Sequence, residues 1–106
     1  SGFEELLRLY PTADVAADAQ FFVGEAFAAE RNAAAADSAY AAVVTRYPSS
    51  PRAATALYKR ARQRQGNGRA AEARTMFEEV IRRFPRSSEA DLACEALGRR
   101  AGCARR

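Results

Sequence analysis

The sequence predicts an all-α protein, a solenoid of stacked antiparallel helical hairpins with about six helices and a 37-residue period. The first observation is a recurring aromatic–proline pair, since Pro11, Pro48 and Pro85 lie 37 residues apart and each follows Tyr or Phe. The second is that the same step carries alanine to alanine and apolar residue to apolar residue at many other positions, without a gap. A fixed period of roughly 20–50 residues is typical of solenoids, in which each unit buries its apolar face against its neighbours.

An apolar stripe precedes the aromatic–proline pair in each of the two complete units. Its spacing is i, i+4, i+7, i+8 and i+11, which places the side chains on one face of an α-helix. This stripe predicts the second helix of each hairpin. The members are Ala36, Tyr40, Val43, Val44 and Tyr47 in one unit, and Ala73, Phe77, Val80, Ile81 and Phe84 in the next.

Local signals mark where the helices end and restart. Proline forbids continuation because it lacks an N–H group and crowds the preceding turn. Ser50 before Pro51 is typical of an N-cap followed by proline in the first turn. Ser87 or Ser88 is expected to cap the next helix, where Glu89 suits the positive end of the helix dipole.

The paired helices within a unit are separated by Gly66-Asn67-Gly68 and by the weaker breaker Glu30-Arg31-Asn32. We expect helices at roughly 2–10, 13–29, 33–47, 51–65, 69–84 and 87–100, in a single domain over residues 1–106. The chain then begins mid-repeat. Residues 1–11 are the second helix of a truncated repeat, 12–48 are repeat 1, 49–85 are repeat 2, and 86–106 are the first helix of a further repeat plus a basic tail.

Basic side chains are concentrated in the second half of the chain. Residues 1–51 carry three basic and seven acidic side chains, a net charge of −4, whereas residues 52–106 carry fourteen and six, a net charge of +8. This gradient favours head-to-tail contacts or an acidic partner at the basic end, and solvated helix faces are the alternative interpretation. The arginines fall on several helices without interleaved aromatic residues, so we expect no nucleic-acid binding.

The residue types that catalysis needs are scarce. Histidine is absent, which removes the usual general base and the commonest metal ligand. Gly66-Asn67-Gly68-Arg69 lacks the Lys-Ser/Thr pair of a phosphate loop, and two cysteines alone cannot complete a zinc site. No apolar run approaches the roughly 18 residues that span a bilayer. We therefore expect no enzyme activity, no cofactor, no metal and no direct membrane span.

Cys94 and Cys103 leave two alternatives open. In an oxidising compartment they can form a disulfide, because Gly98 and Gly102 would let the tail fold back. On a continuous helix they would lie roughly 13 Å apart at a rise of about 1.5 Å per residue, which is too far for a bond. Cys94 would then be a small buried residue on an alanine-rich helix.

The two complete units resemble tetratricopeptide repeats, although the period is 37 rather than that family's usual 34. In the first unit the matching residues are Ala19, Val23, Gly24 and Phe27, then Ala36, Tyr40, Val43 and Pro48. In the second they are Ala56, Ala73, Phe77, Val80 and Pro85, with Ala61 in place of the glycine. Only small residues suit the alanine and glycine positions, because the two helices of a hairpin approach most closely there.

A narrower resemblance covers most of the chain. Phe21-Phe22-Val23-Gly24-Glu25, Tyr47-Pro48-Ser49-Ser50 and Ala56-Leu57-Tyr58-Lys59 are similar to motifs of the YbgF/CpoB family, the periplasmic repeat proteins of the Tol–Pal system; Phe22 replaces that family's usual tryptophan. The resemblance implies a non-catalytic periplasmic scaffold that binds a TolA-like envelope protein and links cell division, outer-membrane constriction and septal wall synthesis. The alternative is a BamD-like outer-membrane assembly scaffold or a self-associating (homo-oligomeric) envelope protein, because those proteins use similar Tyr-Pro-x-Ser hairpins.

A peptide-binding groove is implied by resemblance to peptide-binding tetratricopeptide repeats, whose first helices line a concave surface. Phe21 and Tyr58 would be its aromatic anchors, and the alternative is that both rings pack between helices while Glu25 pairs with Arg62. The candidate groove residues are Asp18, Phe21, Glu25 and Ala28, then Thr55, Tyr58, Arg62 and Gln65, then Leu92, Glu95 and Arg99.

Overall fold

The computed structural model describes residues 12–105, and every element in that range is helical. The predicted all-α class is therefore confirmed for these residues, while the predicted helix at 2–10 lies outside them. The helices are α1 (Thr12–Ala29), α2 (Ala33–Arg46), α3 (Pro51–Gly66), α4 (Ala70–Arg83) and α5 (Ser88–Ala96), followed by a short 3-10 turn at Cys103–Arg105.

Two compact units divide the chain, one ending at Ala53 and the other beginning at Ala54. In the first unit α1 packs against α2. The Gln20 amide of α1 donates a hydrogen bond to the Ala39 carbonyl of α2 at 3.2 Å. The apolar stripe predicted for the second helix faces this contact, and its buried members are Ala36, Tyr40, Val43 and Val44.

Helices α1 and α2 approach each other closely at Gly24. A Cβ atom built on Gly24 would lie 2.6 Å and 2.7 Å from two carbons of the Tyr40 ring. Both of these residues are buried. The aromatic ring thus fills the space that a side chain on α1 would need, which explains why glycine occupies this position.

The predicted serine caps are present at the starts of α3 and α5. The Ser50 hydroxyl accepts a hydrogen bond from the Arg52 N–H at 3.1 Å. Of the two candidates before α5, Ser87 is the cap, because its hydroxyl accepts from the Ala90 N–H at 3.0 Å. These bonds satisfy N–H groups that have no partner within the helix.

The core of the second unit lies between α3, α4 and α5. The Tyr58 ring of α3 and the Phe77 ring of α4 have centroids 5.8 Å apart. Phe77 is 1% exposed and Leu57 is 2% exposed, so both belong to the core, whereas Tyr58 is half-buried at its edge. Helix α5 packs on α4, and its Ala90 and Ala93 are fully buried.

The first helix of each hairpin ends in a turn with one left-handed residue. That residue is Arg31 (φ 61°) after α1, Gly68 (φ 75°) after α3 and Gly98 (φ 74°) after α5. Arg31 and Gly68 are 37 residues apart, so the equivalent position after α5 would be residue 105. The left-handed residue after α5 is Gly98, seven positions before that equivalent. Helix α5 is therefore about two turns shorter at its C-terminal end than α1 and α3.

The predicted helix at 87–100 is wrong at its C-terminal end, because α5 stops at Ala96. The Gly98 N–H donates to the Glu95 carbonyl at 2.9 Å, and the Arg99 N–H donates to the Cys94 carbonyl at 2.8 Å. This pair of bonds closes the helix around a left-handed glycine, which tolerates that conformation at little cost.

A disulfide folds the chain after α5 back onto that helix. The sulfur atoms of Cys94 and Cys103 are bonded, and the two Cα atoms are 6.0 Å apart. The long separation expected on a continuous helix does not arise, because Gly98 and Gly102 both have positive φ and turn the chain between the cysteines.

Replacing Gly24 with alanine tests the close approach of α1 and α2. We expect Gly24→Ala to lower the free energy of unfolding by about 1–3 kcal/mol, because the added methyl group must displace the Tyr40 ring. Gly66→Ala is the matched control: that glycine is also helical and has nothing within 4 Å of its Cβ position. The control should be neutral or stabilising by up to about 1 kcal/mol, and urea denaturation that gives both variants the same midpoint would contradict this packing.

Mass spectrometry of the intact protein tests directly whether the disulfide forms. The oxidised protein should be lighter than its reduced form by two hydrogen atoms, with no thiol available to a labelling reagent in urea. Replacing both Cys94 and Cys103 with alanine should lower the free energy of unfolding by about 2–3 kcal/mol, since the cross-link restricts the unfolded chain. Two titratable thiols in the freshly purified, unreduced protein would contradict the bond.

Candidate functional site

The Asp18 candidate of the first unit is held by an ion pair. Its Oδ1 atom accepts a hydrogen bond from Nε of Arg52 at 2.8 Å. Both side chains line a depression of about 260 Å³ with Asp14, Ser50 and Pro51. The pairing fixes Arg52 over α1 and leaves Asp18 partly exposed.

The Phe21 candidate is part of the core of the first unit. It is 3% exposed, and its ring centroid lies 5.7 Å from that of Tyr40. The Arg52 guanidinium lies 4.8 Å from the centroid of Phe21 and 4.9 Å from that of Phe22, a distance typical of cation–π contacts. The structure therefore gives Phe21 the packing role that was the alternative to peptide contact, while the neighbouring Phe22 is 52% exposed.

The Glu25 candidate accepts a hydrogen bond from the Tyr40 hydroxyl. Burial raises the pKa of Tyr40 above its ordinary value, and the hydrogen bond and negative charge of Glu25 raise it further. The hydroxyl therefore keeps its proton and remains a donor. This contact joins a candidate groove residue to the same ring that lies against Gly24.

Five candidates of the second unit lie together around one pocket of about 320 Å³, which we call the anchor pocket. Helix α3 contributes one wall and helix α5 the other. The sixth lining residue is Ala96, which the sequence analysis did not select. The five candidates are Tyr58, Arg62, Gln65, Leu92 and Glu95.

The anchor pocket combines an apolar base with two opposite charges. Leu92 is 44% exposed, which is unusual for a large aliphatic side chain. The Arg62 Nη1 atom donates to the Tyr58 hydroxyl at 3.1 Å, and its guanidinium lies 5.9 Å from the Tyr58 ring centroid. Among residues 12–105, neither Arg62 nor Glu95 forms an ion pair, so both charges are available to a ligand.

Two further candidates of the second unit have other roles. The Thr55 hydroxyl donates to Oε2 of Glu89 at 2.7 Å, which links the starts of α3 and α5. The prediction that Arg99 lies on the groove face of a helix is wrong, because α5 ends before it. Arg99 instead donates to Glu78 of α4 at 2.9 Å.

The tetratricopeptide repeat family matches the chain at residues 18–50 and again at residues 55–87, which together make up more than half of its length. The chain belongs to the tetratricopeptide repeat family. A comparison with curated proteins found no significant match.

Tetratricopeptide repeats generally mediate protein–protein interactions, and this family is a non-catalytic interaction fold. The two matched segments begin at residues 18 and 55, each within the first helix of a hairpin. Each match therefore contains the second helix of its hairpin and most of the first. The anchor pocket lies at the second of these repeats and at α5 beyond it.

A second and larger pocket in the same repeat was missed by the sequence analysis. It has a volume of about 430 Å³, and we call it the end pocket because it lies at the N-terminal end of α4 and the C-terminal end of α5. It shares Gln65 and Ala96 with the anchor pocket. No clear signal in the sequence indicates it, because Gly98, whose left-handed turn ends α5 early, matches Gly24 inside α1. Its other lining residues are Ala70, Ala71, Ala73, Arg74, Phe77 and Leu97.

Within residues 12–105, no group of three or more His, Cys, Asp or Glu side chains is arranged to hold a metal ion. In the same part of the chain, no helix is both long enough and apolar enough to cross a membrane.

The Tyr40–Glu25 contact predicts a loss of stability in alkali. The unfolded tyrosine ionises near its ordinary pKa of 10.0, whereas the folded protein holds the proton to higher pH. The stabilisation is therefore fully present below pH 10 and is lost as the pH rises above it. Tyr40→Phe should lower the free energy of unfolding at pH 8 by about 1 kcal/mol. Urea titrations should show this difference from wild type shrinking above pH 10; parallel curves would contradict the prediction.

Proposed function

We propose that this tetratricopeptide repeat domain binds a segment of a partner protein in the anchor pocket. The observation that supports the proposal is the meeting of Tyr58, Leu92, Arg62 and Glu95 at one concavity. Partly exposed aromatic and arginine side chains in a concave site are the residue types that dominate binding energy at protein interfaces. The partly exposed leucine supplies apolar surface that a ligand can cover.

The charges of the pocket select the chemistry of the ligand. An apolar side chain of the partner would cover Leu92 and Ala96, and a carboxylate beside it would meet Arg62. A backbone N–H or a basic group would meet Glu95. Because the pocket is lined by two helices rather than an exposed strand edge, it fits a helical or extended peptide that inserts side chains between them.

The first unit lacks the partly exposed aromatic and arginine pair of the anchor pocket. At the positions equivalent to Tyr58 and Arg62 it has Phe21 and Glu25, which are 37 residues earlier in the sequence. Phe21 is buried and Glu25 is bonded to Tyr40. We therefore assign peptide binding to the second unit and a structural role to these two residues.

For the cellular role, we propose a periplasmic scaffold of the Tol–Pal system that binds a TolA-like envelope protein during cell division. Support comes from the sequence resemblance, carried by Phe21-Phe22-Val23-Gly24-Glu25 and Ala56-Leu57-Tyr58-Lys59. Further support comes from the Cys94–Cys103 disulfide, because such bonds persist in oxidising compartments such as the periplasm.

An assembly scaffold that contacts its own copies, or a BamD-like envelope scaffold, is the second candidate. The observation that favours it is the exposure of two neighbouring apolar side chains on α1, Phe22 at 52% and Val23 at 45%. Size-exclusion chromatography with light scattering separates the two candidates. A monomer at micromolar concentration supports the peptide receptor, and a concentration-dependent oligomer supports the self-associating scaffold.

Removing the aromatic ring and the cation of the anchor pocket tests the proposed function. We expect Tyr58→Ala combined with Arg62→Ala to weaken binding of a TolA-derived fragment by about 2 kcal/mol or more, measured by calorimetry, because both groups contact the ligand directly. The far-UV spectrum should remain helical.

Arg82→Ala is the matched control for the loss of charge. Arg82 is an exposed arginine of α4 that lines neither pocket. The control should bind with the affinity of wild type. If the double variant also kept that affinity, the anchor pocket would not be the main binding site.

A further inference from the structure

The end pocket exists because α5 is short. The two other first helices, α1 and α3, contain 18 and 16 residues, whereas α5 contains 9. Helix α5 stops at Ala96, and Ala96 and Leu97 form one edge of the end pocket. The pocket thus opens directly beyond the helix end, next to the first turns of α4.

The lining of the end pocket is mostly apolar. Ala70 and Ala71 are exposed on the first turn of α4, and the buried Phe77 and the half-buried Leu97 complete the surface. Arg74 is the charged member, with its side chain 67% exposed. Its ion pair with Glu78 is long, at 3.9 Å, since Glu78 is held more closely by Arg99 at 2.9 Å. Such an exposed pair contributes little to stability, so Arg74 can turn towards a ligand.

The end pocket adjoins the anchor pocket. Gln65 of α3 and Ala96 of α5 line both of them. A ligand segment that crosses these two residues would lie beside Leu92 on one side and Leu97 on the other. Each pocket offers apolar surface with one arginine beside it, Arg62 in the first and Arg74 in the second.

The tail of the chain is held outside this surface. No residue from 98 to 105 lines either pocket. The tail is tied to α5 by the bond between Cys94 and Cys103, and by an ion pair between Arg105 Nη1 and Asp91 Oδ1 at 3.1 Å. Residues 98–105 therefore do not cover the end pocket.

We propose that the end pocket is a second apolar subsite, and that it takes a second apolar side chain of the same partner segment. The segment is acidic, with carboxylates that meet Arg62 and Arg74, and this inference rests on the proposed function of the anchor pocket. Charge complementarity supports an acidic occupant: α3 carries five basic side chains and no acidic one, and residues 52–106 carry a net charge of +8.

The test uses two synthetic helical peptides of glutamate and alanine labelled with a fluorophore. One carries a single leucine, and the other carries two leucines four residues apart, so that both lie on one helix face. Fluorescence anisotropy should show that the two-leucine peptide binds about tenfold more tightly or better, which is the expected effect of burying one further leucine. The same peptide with lysine in place of glutamate should bind at least about tenfold more weakly.

Ala71→Gln is the diagnostic variant, because it places an uncharged amide at the exposed edge of the end pocket. We expect it to abolish the advantage of the second leucine while leaving the affinity for the single-leucine peptide unchanged. Ala34→Gln is the matched control: it lies 37 residues earlier, at the second residue of α2, and is also exposed. The control should leave both affinities unchanged.

The outcomes separate the two proposals. If Tyr58→Ala with Arg62→Ala weakens both peptides but Ala71→Gln preserves the tenfold difference, the anchor pocket is used and the second subsite is wrong. If that double variant binds both peptides as well as wild type does, the proposed function itself is wrong. If the unliganded protein is dimeric and Ala71→Gln makes it monomeric, the occupant is a second copy of the chain, and the partner segment is overturned.

Discussion

Between α1 and α2, the Tyr40 ring lies in the space that a Cβ atom on Gly24 would fill. The same ring contacts Phe21 and donates its hydroxyl to Glu25. One aromatic side chain therefore sets how closely the two helices approach and packs in the core between them. It also orients a neighbouring carboxylate. In the second unit the equivalent of Gly24 is Ala61, which is fully buried. The ring pair is repeated there, since the centroids of Tyr58 and Phe77 lie 5.8 Å apart.

The packing around the equivalent aromatic positions differs between the two repeats. Phe21 and Tyr58 occupy the same position in the 37-residue register, yet Phe21 is buried beneath Arg52 while Tyr58 is half-buried beside Arg62. The two arginines differ in their polar partners. Arg52 is paired with Asp18 and closes over its aromatic ring, whereas Arg62 has only the Tyr58 hydroxyl as a polar partner among the described residues. Equivalent positions thus differ in burial because their neighbours differ.

The helical class, the serine caps and the buried stripe of α2 could be predicted from the sequence, because each depends on local spacing or on one capping residue. The end of α5 could not be predicted by register, since Gly98 matches Gly24, which lies inside a helix, and only the hydrogen bonds around it show that it ends one. The five candidates around the anchor pocket came from the resemblance to peptide-binding tetratricopeptide repeats. The roles of Phe21 and Glu25 could not, because Arg52 and Tyr40 reach them from other helices.

The covalent link near the C-terminus also determines how the domain would carry mechanical load. Tension applied beyond Cys103 passes through the two sulfur atoms to Cys94, and residues 95–102 are bypassed. The force therefore enters α5 at Cys94, a fully buried residue near the C-terminal end of a helix that packs on α4, and residues 95–102 do not unravel first. A chain pulled from beyond Cys103 would resist peeling from this side until α5 as a whole detached.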